Sequence, residues 1–113
     1  MPSGNLAILT LTVAATAAVA TNRFVTPMGA YPAAAAKGLG VARTGAAVGE
    51  LLAIDILGTS IAEAGGAFAK DAALELDATG RVVVKAAGVA VARALEASAA
   101  AGAFVEVLLT PAA

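Results

Sequence analysis

The feature that most constrains the fold is a series of short apolar runs separated by segments marked with Gly or Pro. The runs recur at the spacing of small all-β domains, and 113 residues support one domain. We expect an all-β fold with minor α content, a β-barrel or β-sandwich-like body (residues 14–113), preceded by an arm or first strand (residues 1–13). The predicted strands are residues 6–13, 23–26, 39–43, 51–57, 73–76, 81–85, 89–95 and 104–110.

The segment LELDATGRVVV (residues 74–84) carries the clearest local signal. Asp77 and Gly80 stand at the first and fourth positions of a type I turn, where these residue types are preferred. In a hairpin, such a turn often adds a glycine in the left-handed conformation as a bulge. The sequence therefore predicts a β-hairpin with its turn at residues 77–80.

Two alanine-rich segments are open to a helical interpretation. Residues 89–101 suit a helix by propensity, but larger and smaller side chains alternate through residues 89–95, which favours a strand followed by a short helical turn at residues 97–101. Residues 32–38 begin with Pro and end with Lys and Gly, an order typical of a single helical turn. We expect no longer helix in either segment.

Two segments of the chain resemble each other. AAVGELLAIDIL (residues 46–57) parallels AAAGAFVEVLL (residues 99–109), because each leads from a turn of small residues into a strand that contains a carboxylate. A preceding predicted strand carries an arginine in each case, Arg43 and Arg93. Two similar hairpins in one barrel would produce this pattern, and so would a general bias toward small residues.

Missing residue types exclude most catalytic and metal sites. The chain has no His and no Cys, which removes Ser-His-Asp triads, cysteine nucleophiles, disulfides and most zinc sites. The segment GLGVAR (residues 38–43) lacks the third glycine of a dinucleotide-binding fingerprint. We expect no catalytic residue, no metal, no cofactor and no enzymatic activity.

The carboxylates of Asp55 and Glu106 lie inside predicted apolar strands. A functional interpretation would make them general bases or metal ligands, but no second carboxylate stands at a fixed local spacing from either. Cross-strand ion pairs are the structural alternative. We therefore interpret Asp55, Glu106, Arg43 and Arg93 as structural ion-pair residues, with Arg43 or Arg93 as the partner of Asp55.

The aromatic residues are Phe24, Tyr31, Phe68 and Phe104. They are too few to stack nucleic-acid bases between basic residues, and the net charge of −1 gives no electrostatic footprint for nucleic acid. We expect them to anchor the core or a contact between subunits, and we expect no nucleic-acid partner.

The amino-terminal region is uncharged as far as Arg23, and its AVA sequence (residues 18–20) imitates a signal-peptidase site. Cleavage there would make the chain an exported cell-surface domain. However, no Lys or Arg precedes the apolar run, threonines interrupt it, and it is short for a membrane-spanning helix. We favour a strand at residues 6–13 and expect no membrane partner.

Hydrophobic residues make up 60% of the chain and charged residues only 13%. A domain this small cannot hide that fraction in one core, although Ala and Gly account for much of it. Apolar patches that remain on a surface usually mark interfaces. The composition therefore predicts a homo-oligomer docked on a larger structure.

Short stretches stand in a recognisable order along the chain: AATAAVA (14–20), RFV (23–25), GLGVA (38–42), GE (49–50), GT (58–59), EAGG (63–66), DATGR (77–81), ARAL (92–95) and EVLL (106–109). In this order and spacing the chain resembles the capsid cement, or head decoration, proteins of tailed bacteriophages. The resemblance runs from about residue 6 to residue 110 without insertions.

The resemblance implies a structural protein on the outer surface of the virion capsid, made in the host cytoplasm. It would sit as a homotrimer at three-fold and local three-fold positions of the expanded head and clamp neighbouring subunits of the major capsid protein. The alternative within phage assembly is another small β-barrel component, in the tail or in head completion.

The amino-terminal arm is the expected contact with the major capsid protein, through Asn5, Leu6, Ile8 and Leu9. In extended form residues 1–5 would reach roughly 15 Å. Residues 6–13 would then pair with an exposed strand edge of the capsid through main-chain hydrogen bonds. The equally weighted alternative is that residues 6–13 are the first strand of the barrel itself.

Overall fold

The computed structural model of the chain describes residues 6–110. This part of the chain contains eight strands and no helix. The strands are β1 (Leu6–Ala14), β2 (Phe24–Val25), β3 (Gly40–Ala42), β4 (Leu51–Glu63), β5 (Ala73–Leu76), β6 (Val82–Val84), β7 (Ala92–Ala94) and β8 (Phe104–Leu109). The predicted all-β class and the single small domain are confirmed.

Strand β4 organises the sheet because it has three partners. β1 runs antiparallel along one edge of β4, while β3 and β8 lie one after the other along the opposite edge. The strand order is β2-β3-β4-β8-β7-β5-β6. Just beyond β4, Ala64 forms a parallel bridge with Val82 of β6. Through that bridge β6, the last strand in the sheet order, returns to the end of β4, so the sheet is a nearly closed barrel.

Two apolar clusters are buried, and the neighbouring strand residues Phe24 and Val25 belong to different ones. Because successive side chains of a strand point to opposite faces, the clusters lie on opposite faces of the sheet at β2 and β3. Along β4 the side chains of Leu52, Ile54 and Ile56 are buried in the smaller cluster, and Asp55 between them is buried as well. The larger cluster includes Phe24, Val41, Phe68, Leu74, Leu76, Val82, Val105 and Val107, and the smaller one Val19, Val25, Leu52, Ile54 and Ile56.

The predicted hairpin is confirmed and has the predicted turn. The amide of Gly80 donates to the carbonyl oxygen of Asp77 at 3.2 Å, and Gly80 has a φ of 78°. The Asp77 carboxylate accepts hydrogen bonds from the amides of Thr79 and Arg81, each at 2.9 Å. These bonds close the loop between β5 and β6. Since burial raises the pKa of Asp77 but the hydrogen bonds from Arg81 and Thr79 outweigh it, this pKa lies below its ordinary value.

The main error in the predicted strands concerns β4, which continues to Glu63 although we expected a break from residue 58 onward. Gly58, the first residue after the predicted strand 51–57, lies within β4 with a φ of 98°. The expected helical turns are also absent from the described residues. In the segment of residues 32–38, the amide of Ala35 donates to the carbonyl oxygen of Leu76, and the carbonyl oxygen of Ala35 accepts from the amide of Val89. Ala35 is therefore bonded to distant segments rather than to its own turn.

Strand pairing repeats along the chain, as the similarity between residues 46–57 and 99–109 suggested. In the first half β1 pairs with the start of β4, and in the second half the end of β4 pairs with β8 in the same way. The sheet order β2, β3, β4 in the first half likewise corresponds to β5, β7, β8 in the second. Three residue pairs of the first half each have a counterpart in the second half. Ala14–Leu51 corresponds to Glu63–Phe104, Phe24–Val41 corresponds to Ala73–Arg93, and Ala42–Ile54 corresponds to Ala94–Val107.

The turns repeat as well. Gly49 and Gly102, with φ angles of 88° and 90°, each stand two residues before a long strand. Their amides donate to the carbonyl oxygens of Ala15 and Ala64, both at 2.8 Å. The described chain therefore has a first half (residues 6–57) and a second half (residues 58–110) of the same design. β4 joins them, because it ends the first half and begins the second.

Candidate functional site

The outer edge of β1 is the longest open sheet edge of the described residues. β1 has nine residues and pairs with β4 alone, so its second row of backbone amides and carbonyls has no strand partner in residues 6–110. The strand contains neither a charged residue nor a proline. Natural proteins commonly use such residues to protect an exposed edge. The edge of β1 is thus open to pairing with another extended chain.

Large apolar side chains lie exposed beside this edge. Leu9 is 40% exposed and pairs directly with Leu57, which is 37% exposed. Leu108 of β8 is also 37% exposed and pairs with Thr59, two residues beyond Leu57. Diagonal neighbours on a sheet are close enough for long side chains to meet. The three leucines therefore extend an apolar surface from β1 across β4 to β8.

The residues expected to contact the capsid fall only partly within the described chain. Asn5 and the side chains of Leu6 and Ile8 lie outside the described residues. Leu9 is described, and its side chain is half-exposed. Leu6–Ala14 forms β1 within the chain's own sheet, which leaves residues 1–5 as the part that would form an arm. An outside strand would have to use the open edge of β1.

Asp55 is fully buried and lies in a polar cluster inside the sheet. Arg43 of the segment after β3 approaches the Asp55 carboxylate at 3.1 Å. The hydroxyls of Thr10 and Ser60 both donate to the same carboxylate at 3.0 Å. In the pairing of β3 with β4, Val41 lies opposite Asp55. Arg43, two residues beyond Val41, is therefore close to the Asp55 carboxylate. The sheet thereby selects Arg43 rather than Arg93 as the partner of Asp55.

Arg93 has a different partner. Its guanidinium forms an exposed ion pair and a short hydrogen bond with Asp71, and this contact lowers the pKa of Asp71 and raises that of Arg93. The backbone amide of Glu106 donates to the Glu96 carboxylate at 2.8 Å, which lowers the pKa of Glu96. Asp55 is fully buried and Glu106 is half-buried, so the two carboxylates occupy unlike environments.

A second ion-pair network, which the sequence did not reveal, joins the end of β4 to the hairpin. Arg23 binds the Glu63 carboxylate through two nitrogens, each at 3.2 Å, and the hydrogen bond to Glu63 raises the pKa of Arg23. Arg81 lies 3.7 Å from Glu63 and 3.3 Å from Asp77. No spacing in the sequence links Arg23, Glu63 and Arg81, because the fold brings them together from three separate segments.

The aromatic residues separate into interior and surface positions. Phe24 and Phe68 are buried in the larger cluster. Tyr31 packs against the smaller cluster, its hydroxyl accepts a hydrogen bond from the amide of Ala20 at 2.8 Å, and Arg23 lies 5.8 Å from its ring centre. Phe104 is 48% exposed. Of the four, Phe104 is the one available for contact with another chain.

Chemical sites are sparse in the part of the chain that the structure describes. No group of acidic residues within residues 6–110 is arranged to hold a metal ion. The described chain also contains no helix long and apolar enough to cross a membrane. A shallow, mostly apolar cavity of about 290 Å³ is lined by Thr26, Pro27, Lys37, Gly38 and Leu39. The exposed strand edge and the apolar surface beside it are therefore the main candidates for function.

Comparison with known proteins agrees with this surface-based interpretation. No curated protein matches the sequence. The fold is similar to the crystal structure of the N base of the head fiber of bacteriophage phi29, with a TM-score of 0.73 and 18% sequence identity, covering 90% of this chain and 93% of that one. The sequence matches the phage cement protein family over residues 2–109. The chain belongs to the phage cement protein family and is a structural component of the virion capsid.

Proposed function

We propose that this protein binds the outer surface of the expanded phage head as a homotrimer. It sits at three-fold and local three-fold positions, where it clamps neighbouring subunits of the major capsid protein and stabilises the head. The observation that carries the proposal is the open edge of β1 together with the exposed leucines beside it. Covering this surface removes apolar area from water, the main favourable term in protein association.

The trimer and the capsid divide the exposed surface between them. A standard interface covers about 800 Å² on each partner, and the described chain has an accessible surface of 5248 Å². Contacts with two sister copies and with the shell would therefore cover nearly half of it. The net charge of −1 leaves little for ionic steering, so shape and apolar burial govern docking.

The amino-terminal segment makes the contact with the capsid. Residues 1–5 lead directly into β1, and an extended capsid strand pairs with the open edge of β1 by main-chain hydrogen bonds. Asn5, Leu6, Ile8 and Leu9 supply side chains to this contact. The lack of charge and proline along β1 suits such pairing.

Deletion of residues 2–5 tests the amino-terminal contact. We expect the variant to remain a trimer in sedimentation and to bind expanded heads at least tenfold more weakly, because the arm that precedes β1 and contributes Asn5 to the capsid contact is lost. A matched variant with residues 2–5 replaced by four serines separates the length of the segment from its sequence. Undiminished occupancy after deletion would contradict the arm contact. A stable monomer that ignores expanded heads would contradict the proposed function.

A further inference from the structure

Leu51 and Phe104 occupy equivalent positions in the two halves of the chain. Each is the first residue of a long strand and follows the repeated glycine turn by two residues. Leu51 pairs with Ala14 and Phe104 with Glu63, in the same place of the repeated register. Leu51 is 69% exposed and Phe104 is 48% exposed. The repeat thus places a large apolar side chain on the surface at the equivalent position of each half.

The two residues stand at the two ends of the longest strand. Leu51 is the first residue of β4, and Phe104 pairs with Glu63, the last residue of that strand. β4 has 13 residues, and an extended strand rises about 3.3 Å per residue. The length of β4 therefore separates the two positions along the sheet.

We propose that Leu51 and Phe104 are two equivalent contact points, with which one chain binds two neighbouring copies of the major capsid protein. The inference rests on the proposed function and specifies how clamping is achieved. A shell of identical subunits presents the same surface repeatedly at separated positions. A chain with the same apolar contact at both ends of β4 matches that repetition. A homotrimer would then carry six such contacts.

Two linked contacts have a measurable consequence. When one contact is made, the second becomes intramolecular, and overall affinity exceeds that of either contact by roughly 10²–10⁴-fold. Loss of either side chain leaves a chain that still binds one subunit but no longer connects two. Binding and clamping therefore become separable, which would not follow if the two side chains belonged to one continuous contact.

The experiment compares Leu51→Ser, Phe104→Ser and the double variant with Met28→Ser. Met28 is also 69% exposed but lies outside the repeated strand starts, so it controls for loss of a surface apolar group. Binding to empty expanded heads is titrated, and the resistance of saturated heads to heating is measured. Sedimentation and thermal unfolding of the free variants check that the trimer and the fold persist.

We expect each single variant to bind at least a hundredfold more weakly and to stabilise saturated heads less than the unmodified protein does. The double variant should bind more weakly still, through the amino-terminal contact alone, and Met28→Ser should behave as the unmodified protein. If both single variants bind and stabilise heads normally, or if either change dissociates the trimer instead, the inference is overturned while the proposed function stands. If the unmodified protein fails to bind heads, both fall.

Discussion

Replacing Arg43 by Leu is expected to lower the free energy of unfolding by about 2–3 kcal/mol. The Asp55 carboxylate is fully buried, and its arginine partner lies 3.1 Å away. Removing one partner of a buried ion pair leaves an uncompensated charge, which costs about 3–5 kcal/mol when both groups are buried. Here the Arg43 side chain is 44% exposed, and two hydroxyls still donate to Asp55 after the change. The expected loss therefore lies at or below the lower end of that range, at about 2–3 kcal/mol. Urea unfolding measures the change.

The repeat supplies the control for this prediction. The positions equivalent to Arg43 and Asp55 in the second half carry Leu95 and Leu108, because Leu95 bonds to β8 as Arg43 bonds to β4. The double variant Arg43→Leu/Asp55→Leu removes both charges and is expected to be about 1 kcal/mol more stable than Arg43→Leu alone. A double variant less stable than the single variant would show that the buried charge is not the cause of the loss.

Replacing Gly80 by Ala is expected to lower the free energy of unfolding by about 3 kcal/mol. Gly80 has a φ of 78°, and a Cβ there would lie 2.5 Å from the carbonyl oxygen of Phe24 and 2.9 Å from the Tyr31 ring. The left-handed conformation costs about 1–2 kcal/mol for an L-residue, and forced overpacking adds about 1–3 kcal/mol. Thermal and urea unfolding both report this loss.

Gly102→Ala is the matched control for the glycine prediction. Gly102 has a φ of 90°, but no atom lies within 4 Å of a Cβ built at this position. It therefore incurs the backbone cost without the clash, and we expect a loss of about 1 kcal/mol. Equal losses at Gly80 and Gly102 would contradict the role assigned to the close approach of the hairpin turn to Phe24.

The hairpin and most strands were predictable because their signals are local. Asp77 and Gly80 determine a turn through their own side-chain and backbone preferences, and the structure has that turn. β4 was predicted too short because Gly58 usually interrupts a strand. Here Gly58 pairs with Ala7 of β1, and the next residue, Thr59, pairs with both β1 and β8. The sheet tolerates a glycine at this position of β4 because β1 and β8 both pair there, and no local sequence pattern predicts that pairing.

The candidate site depended more strongly on the fold. The sequence marked Asp55 as structural but left two arginines as partners, and only the neighbouring positions of β3 and β4 select Arg43. The exposure of Leu51 was not predicted, and Phe104 was predicted to be either a core residue or a subunit contact, since an apolar residue at the start of a strand is indistinguishable from a core residue in a single sequence. The internal similarity of the two segments was the available signal.

Image reconstruction of expanded heads carrying this protein tests the central claim, that a cement protein covers its exposed apolar surface with sister copies and the shell. The account predicts trimeric density outside the shell at three-fold and local three-fold positions, with the edge of β1 against a capsid strand. Density inside the shell or confined to the tail would contradict it, as would heads that bind the protein only as isolated monomers.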